Sequence, residues 1–128
     1  MLTLDTTKWQ YTTGAARPDA IQPEAYHLDQ ALLERPGNSE IQLDLFRDYG
    51  HNLPLYPKFQ AYFRLSGIPV LAIWGKNDVI FVPVGAEAYA RDARNFELHF
   101  VDSGHFALET NEEKFAELIS KFLIKWVK

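Results

Sequence analysis

The first half of the chain carries its hydrophobic residues at helical spacing. Residues 1–22 are Thr-rich, contain Gly14 and Pro18, and show no sustained period, so they predict an irregular lead-in. A helix is predicted from Pro23, because proline suits the first helical position, and it stops at Pro36. One face of this helix carries three apolar residues at helical spacing: Ala25, Leu28 and Leu32.

A second helical stretch follows and is divided by prolines. Ser39 and Gln42 fit a capping box, in which each side chain satisfies a free backbone N–H of the first turn. One face of this second helix carries the apolar residues Ile41, Leu45 and Tyr49. The prolines of "NLPLYP" end this helix, and a further helical piece runs to Gly67 with Phe59, Tyr62 and Phe63.

The pattern changes after Gly67. "IPVLAIWG" is a short unbroken apolar run between proline and glycine, which predicts a strand buried on both faces, as in parallel sheets. A helix follows from Pro83 to about Arg91 with Ala86 and Tyr89 turned inward. In "NFELHFVD" apolar and polar residues then alternate, which predicts a second strand.

The chain ends in an amphipathic helix. Thr110 and Glu113 fit another capping box, and Lys121, Lys125 and Lys128 favour the negative end of the helix. The apolar stripe consists of Phe115, Leu118, Ile119, Phe122 and Trp126. The order from Ile68 onward is β-α-β-α, so we expect two parallel strands joined by a right-handed helical crossover.

Composition narrows the classes of protein. A chain of 128 residues with 47% hydrophobic residues has the size and apolar content of one domain. A net charge of -4 without any Lys/Arg run argues against nucleic acid and against an anionic membrane surface as partners. There is no cysteine, no visible secretory signal and no stretch of membrane-spanning length, so we expect a cytoplasmic protein.

Two side chains suited to acid–base chemistry each follow a predicted strand. Asp78 lies just after "IPVLAIWG" and His105 just after "NFELHFVD". Neighbouring parallel strands bring their carboxyl ends together, where ligands gather in open α/β sheets. A carboxylate that accepts the Nδ1 proton of histidine frees Nε2 to take a proton from an alcohol or water. The alternative for Asp78 is an ordinary turn residue, and for His105 a packed or exposed histidine.

The segments "IPVLAIWGKNDVIF", "GAEAYARD" and "VDSGHFALET" resemble the C-terminal part of α/β-hydrolase-fold enzymes, in the branch of epoxide hydrolases and haloalkane dehalogenases. The stretch "LDQALLERPGNSEIQLDLFRDYGHNLPLYPKFQAYFR" is similar to the helical cap of that branch. The resemblance implies an α/β fold class. The resemblance divides the chain into residues 1–67, expected to form a helical cap-like segment, and residues 68–128, expected to form the C-terminal β-α-β-α part of the parallel sheet. It assigns Asp78 as the triad acid and His105 as the triad histidine.

The sequence departs from that family in one respect. In the family, several strands and a nucleophile elbow of the type Gly-x-Ser/Asp-x-Gly precede the cap, and the N-terminal half of the fold that carries them is missing here. No internal residue replaces the nucleophile convincingly. Ser39 is explained as a cap and Ser66 as a linker, and Ser120 lies in the terminal helix. Ser103 lies two residues from His105 in the same loop, without a strained strand-to-helix turn.

Aromatic residues of the cap-like segment and the two loops are candidates for substrate contact. We assign Tyr56, Phe81 and Phe106 to binding of a small apolar substrate, with core packing as the alternative for most of the aromatic cluster around Tyr56. We expect no metal, because the four histidines lack HxH or HxxxH spacing. We expect no cofactor, because the usual glycine-rich phosphate loops are absent.

The predicted sheet leaves the first strand with one unpaired edge. Two-stranded units are marginal alone, so we expect a homo-oligomer or a complementing N-terminal half. Two functions follow from this. The chain is the acid-and-histidine part of a hydrolase of small esters, epoxides or carbon–halogen compounds, or it is an inactive truncated remnant that acts as an oligomerising or interaction module.

Overall fold

The computed structural model describes residues 2–127, so the predicted role of Lys128 at the last helix end lies outside the described residues. Four helices precede the sheet: α1 (Leu4–Thr12), α2 (Pro23–Leu33), α3 (Asn38–Asp48) and α4 (Tyr56–Ser66). The sheet and its helices follow as β1 (Pro69–Gly75), α5 (Pro83–Glu87), β2 (Asn95–Val101) and α6 (Glu112–Trp126). The predicted order β-α-β-α from Ile68 onward is confirmed.

Part of the N-terminal segment, α1, is a helix, so the predicted irregular lead-in is wrong for that stretch, whereas residues 13–22 are irregular apart from a short 3-10 turn. The Thr3 hydroxyl accepts the backbone N–H of Thr6 as an N-terminal cap of α1. Thr7 is buried against α2, where its hydroxyl donates to Gln30 Oε1 over 2.8 Å. Three of the nine residues of α1 are threonines, which are poor helix formers, and tertiary contact with α2 compensates for this.

Helix α2 begins at Pro23 as predicted, but it buries a different face from the predicted apolar one. Its buried residues are Tyr26 and Gln30, whereas Leu28 is 61% exposed. Tyr26 packs with Tyr11 and Ile21 in a small core cluster. Contact with α1, rather than the apolar spacing within α2, sets the buried face.

Both predicted capping boxes are wrong. Helix α3 begins one residue before Ser39, with Gly37 as its N-cap at a φ of 80°, and glycine has no side chain to cap with. Thr110 belongs to a short 3-10 turn ahead of α6, and Asn111 stands at the N-cap. The Asn111 side chain donates to the Ala107 carbonyl instead of accepting from the first turn of α6.

The two strands pair in parallel, as predicted. Pro69 lies opposite Asn95 and Gly75 opposite Val101, so both strands end at the same level. The crossover is α5 followed by a 3-10 turn, Ala88–Arg91. Ala86 of the crossover is fully buried as expected, whereas Tyr89 is 39% exposed.

The chain exposes more surface than a folded monomer of its mass. Its accessible area is 8973 Å², compared with about 6,900 Å² expected for a compact protein of 14.7 kDa. The excess of about 2,000 Å² on one chain is larger than the roughly 800 Å² that each partner contributes to a standard protein–protein interface. Within residues 2–127 one edge of β1 has no paired strand, and Leu65 and Ile124 are 86% and 81% exposed. No helix in the same residues has the length and apolar content needed to cross a bilayer.

We expect Tyr11→Ala to destabilise the chain strongly, since Tyr11 is 6% exposed and belongs to the core cluster. Truncating a buried aromatic side chain costs about 3–5 kcal/mol in the free energy of unfolding. Trp9→Ala on the same helix is the matched control, because Trp9 is 47% exposed. Denaturant unfolding followed by circular dichroism measures both, and equal effects of the two substitutions would contradict the proposed core.

Candidate active site

The parallel pairing of β1 and β2 brings two loops together at the carboxyl ends of the strands. The loop after β1 contains Asp78, and the loop after β2 contains His105. Backbone hydrogen bonds join the loops: Lys76 N–H donates to the Val101 carbonyl and Asn77 N–H to the Ser103 carbonyl, each over 3.0 Å. The two loops therefore form one continuous surface at this edge of the sheet.

Asp78 and His105 are hydrogen-bonded to each other. His105 Nδ1 lies 3.0 Å from Asp78 Oδ2. The other carboxylate oxygen, Oδ1, accepts the backbone N–H groups of Ile80 at 2.8 Å and Phe81 at 2.9 Å. The Asp78 side chain is only 4% exposed, so these donors replace the water that the carboxylate has lost. An ionised carboxylate accepts and does not donate, so a neutral ring hydrogen-bonded to it carries its proton on Nδ1 and keeps the lone pair on Nε2.

Aromatic rings enclose the imidazole. Phe81 and Phe106 meet the His105 ring edge to face, with ring centroids 5.0 Å and 5.2 Å away. The His105 side chain remains 22% exposed. It borders a cleft of about 270 Å³ whose other walls are largely apolar: Ile73, Trp74, Ala107, Leu108 and Phe115. The structure thus brings four of the five predicted site residues together, namely the acid, the histidine and two phenylalanines.

Tyr56, the fifth predicted site residue, lines a different cleft. That cleft measures about 310 Å³, and its walls are formed mainly by α4 and the crossover helix. It shares no lining residue with the His105 cleft. The Tyr56 hydroxyl forms a hydrogen bond with the Tyr49 hydroxyl, which raises the pKa of Tyr56 above its usual value.

None of the residues that line the His105 cleft is a serine or threonine. Ser103, the serine nearest to His105 in sequence, is 1% exposed, and its carbonyl accepts a hydrogen bond from the Asp78 loop. Ser66 accepts the backbone N–H of Ile68 at the end of α4. Among the described residues, the structure therefore places no hydroxyl nucleophile in the cleft with the imidazole.

The N-terminal helix contributes to the site, and the sequence did not indicate this. The Tyr11 ring stacks on Phe106 with centroids 3.9 Å apart and planes 6° from parallel. Its hydroxyl donates to Asp29 Oδ2 over 2.6 Å, and burial together with this carboxylate raises the pKa of Tyr11 far above its usual value. A signal that could have revealed the contact is the pair of aromatic residues in "KWQYT", of which only Tyr11 is buried.

Gly104 allows the histidine loop to approach the end of α1. A Cβ atom at position 104 would lie 1.9 Å from the Thr13 carbonyl oxygen, closer than any van der Waals contact. The turn at residues 13–14 is therefore in direct backbone contact with the loop that carries His105. Any side chain at position 104 would force the two segments apart.

We expect Gly104→Ala to destabilise the chain by about 1–3 kcal/mol, the usual cost of overpacking a close contact. Gly85→Ala is the matched control, because a Cβ there meets nothing within 4 Å and the residue lies in α5. Replacing a helical glycine with alanine stabilises by about 0.4–1 kcal/mol. Thermal unfolding of both variants tests the contact, and a neutral Gly104→Ala would contradict it.

Comparison with known proteins agrees with the architecture. Residues 12–112 match the profile of the α/β hydrolase fold family. The chain is 50% identical over 114 residues to the uncharacterized hydrolase YNR064C of Saccharomyces cerevisiae, an alignment that covers 88% of this chain and 39% of the yeast protein. The chain thus spans about two-fifths of the length of this curated relative, and no solved structure matches it significantly. With its parallel strands and the match over most of its length, the chain belongs to the α/β hydrolase fold family.

Proposed function

We propose that this chain supplies the acid and the histidine of a hydrolase, Asp78 and His105, to a catalytic site whose nucleophile comes from a further polypeptide segment. The observation that carries the proposal is the hydrogen bond between His105 Nδ1 and the buried Asp78 carboxylate, at the strand ends and beside an apolar cleft. The hydrolase name of the yeast relative supports hydrolysis as the reaction and names no substrate.

The chemistry proposed for His105 is proton transfer at Nε2. With a serine nucleophile, Nε2 takes the hydroxyl proton as the oxygen attacks an ester carbonyl, and then returns it to the leaving alcohol. With an aspartate nucleophile, the carboxylate displaces a halide, or it opens an epoxide whose oxygen takes a proton from an acid supplied by the further segment. Nε2 then takes a proton from the water that attacks the ester intermediate and returns it to the departing alcohol, which frees the aspartate. In both routes Asp78 holds the ring and stabilises the imidazolium that forms.

The substrate class we propose is a small apolar ester, epoxide or carbon–halogen compound. Phe81, Phe106 and Leu108 give the cleft an apolar wall, and a volume of about 270 Å³ suits a small molecule. The two phenylalanines also shield the imidazole from part of the solvent, which strengthens electrostatic interactions within the site. Membership of the epoxide hydrolase and haloalkane dehalogenase branch is part of this proposal.

We also propose that Tyr56 contacts substrate only if the segment that supplies the nucleophile extends the site toward the cleft lined by Tyr56.

The partner we propose is a further strand at the free edge of β1. An unpaired edge leaves backbone N–H and C=O groups without partners, and the surplus surface of about 2,000 Å² is enough for a stable interface. The complementing N-terminal part of an α/β hydrolase, on the same or another polypeptide, would satisfy this edge. In its absence we propose that a second copy of the chain does so.

A second candidate function is a non-catalytic module that assembles through the same edge. The lack of a hydroxyl nucleophile in the cleft, among the described residues, favours it. This candidate differs from the first in that the hydrogen bond between Asp78 and His105 is only structural. An assay in which a further segment supplies the nucleophile distinguishes the two candidate functions.

We expect hydrolysis to appear when the chain is combined with the part of the yeast hydrolase that the alignment leaves uncovered, co-expressed or fused. Panels of esters, epoxides and haloalkanes are assayed with wild type, Asp78→Asn and His105→Ala. Both substitutions should lower kcat/KM at least about 100-fold, because each removes general-base catalysis. His99→Ala is the matched control, since His99 lies on β2 with its side chain 40% exposed. Activity that survives His105→Ala, or no activity in a correctly assembled complex, contradicts the catalytic proposal.

We expect the isolated chain to self-associate at low micromolar concentration. Light scattering should give a mass at least twice the 14.7 kDa of one chain. The paired variants Leu65→Lys and Ile124→Lys remove the two most exposed apolar side chains without touching the strand edge. If the chain assembles through β1, both variants still self-associate. If the association is non-specific apolar contact, both variants lose it. A compact monomer would refute the assembly.

A further inference from the structure

We propose that Asn77 is a positioning residue that fixes the His105 ring by fastening the end of α1 and the histidine loop to the Asp78 loop. The inference rests on the proposed function for its catalytic meaning, but the structural coupling it describes exists without substrate. It concerns the residue beside the acid, whose sequence context alone indicates only a turn.

Asn77 makes three hydrogen bonds to two other segments of the chain, the loop after β2 and the turn after α1. Its backbone N–H donates to the Ser103 carbonyl over 3.0 Å. Its side-chain nitrogen Nδ2 donates to the Gly14 carbonyl and to Asp102 Oδ1, each over 2.9 Å. An amide NH₂ has two protons, so both side-chain donors are used. The β1 loop, the β2 loop and the turn after α1 therefore meet at one side chain.

The orientation of the amide follows from its partners. A flipped Asn77 would turn its carbonyl oxygen toward the Gly14 carbonyl and the Asp102 carboxylate, and neither of these can donate a hydrogen bond. Lys76 Nζ contacts the same Asp102 oxygen over 3.2 Å. The hydrogen bond from Asn77, followed by that from Lys76, lowers the pKa of Asp102, so the acceptor stays charged at neutral pH. A charged acceptor strengthens the hydrogen bond.

The turn after α1 fits closely against Asn77. Gly14 has a φ of 80°, and a Cβ there would lie 2.6 Å from the Asn77 carbonyl oxygen. Only glycine fits this backbone and this distance. The contact leaves no space for the turn to slide along the loop while the hydrogen bond to the Gly14 carbonyl is intact.

These contacts hold the His105 loop from both sides. Two residues before the histidine, the Ser103 carbonyl is bound to Asn77; one residue after it, Phe106 stacks on Tyr11 of α1. Helix α1 is itself tied to Asn77 through the turn at Gly14. Loss of the Asn77 side-chain amide would break the links to the Gly14 carbonyl and to Asp102, whereas the backbone hydrogen bond to Ser103 and the Asp78 carboxylate remain in place.

The test reads the tautomer of the His105 ring in the 128-residue chain by ¹⁵N NMR, with the resonances assigned by comparison with His105→Gln. In wild type the neutral ring should be mainly protonated at Nδ1. Asn77→Ala should lower the ratio of the Nδ1–H to the Nε2–H form about fivefold, the effect of one lost hydrogen bond. Tyr11 should also lose its stacking on Phe106, seen as a change in the ring-current shifts of Phe106.

Asn95→Ala is the matched control. Asn95 Nδ2 donates to the Gly67 carbonyl over 2.7 Å, so it also ties a strand to a neighbouring segment, but at the opposite end of the same strand pair. It should lower the melting temperature without changing the His105 tautomer ratio. The exchange variant Asn77→Asp with Asp102→Asn restores the link between positions 77 and 102 but not the link to Gly14, and should recover the ratio only in part.

The inference is overturned if Asn77→Ala remains folded and leaves the tautomer ratio and the Phe106 shifts unchanged, or if Asn95→Ala changes them equally. If Asn77→Ala does not fold, the exchange variant decides: full recovery of the wild-type ratio refutes a role for the Gly14 link. Failure of the complemented chain to hydrolyse any substrate would contradict the proposed function but would not alter this readout, because the tautomer is measured without substrate or partner.

Discussion

The in-register parallel pairing of β1 with β2 is the constraint on which the rest of the site depends. Because Gly75 and Val101 lie opposite each other, the two loops leave the sheet at the same level and their backbones bond directly. A shift of one residue in this pairing would turn the side chains of one strand to the opposite face and separate the acid from the histidine. The hydrogen bond between Asp78 and His105 thus depends first on the strand register, whatever its role in catalysis.

The elements that could be predicted from sequence are those whose signal is local or follows from strand order. The unbroken apolar run from Val70 to Trp74 predicted a strand, and the β-α-β order then required parallel pairing. The predicted burial on both faces is wrong, because only Ala72 and Gly75 of β1 are buried and the other residues are half-buried. The pairing in turn predicted that Asp78 and His105 would be neighbours, since each follows its strand by only a few residues. The topology thus predicted their proximity, and the structure shows the hydrogen bond itself.

The failures lie where tertiary contact or local turn geometry outweighs the sequence pattern. Helix α1 has threonine at a third of its positions, and it is ordered by the contact of Thr7 with Gln30, a residue that reads as a polar surface position. The capping box expected at Ser39 gave way to Gly37, because the chain enters α3 through a left-handed turn. The contribution of α1 to the histidine loop depends on a close backbone approach at Gly104, which carries no periodicity that a sequence pattern could display.

The geometry of Asp78 limits where the nucleophile can come from. Its Oδ1 accepts two backbone N–H groups, its Oδ2 accepts the His105 ring, and its side chain is 4% exposed, so neither oxygen is free to attack a substrate. Attack by this carboxylate would also remove the acceptor that fixes the tautomer of the histidine. On the proposed function, the reacting group approaches the imidazole through the part of its side chain that remains exposed. On the proposed function, an imidazole held in this way accepts its proton from a group outside the chain's own cleft, and a segment carrying that group would pair at the free edge of β1.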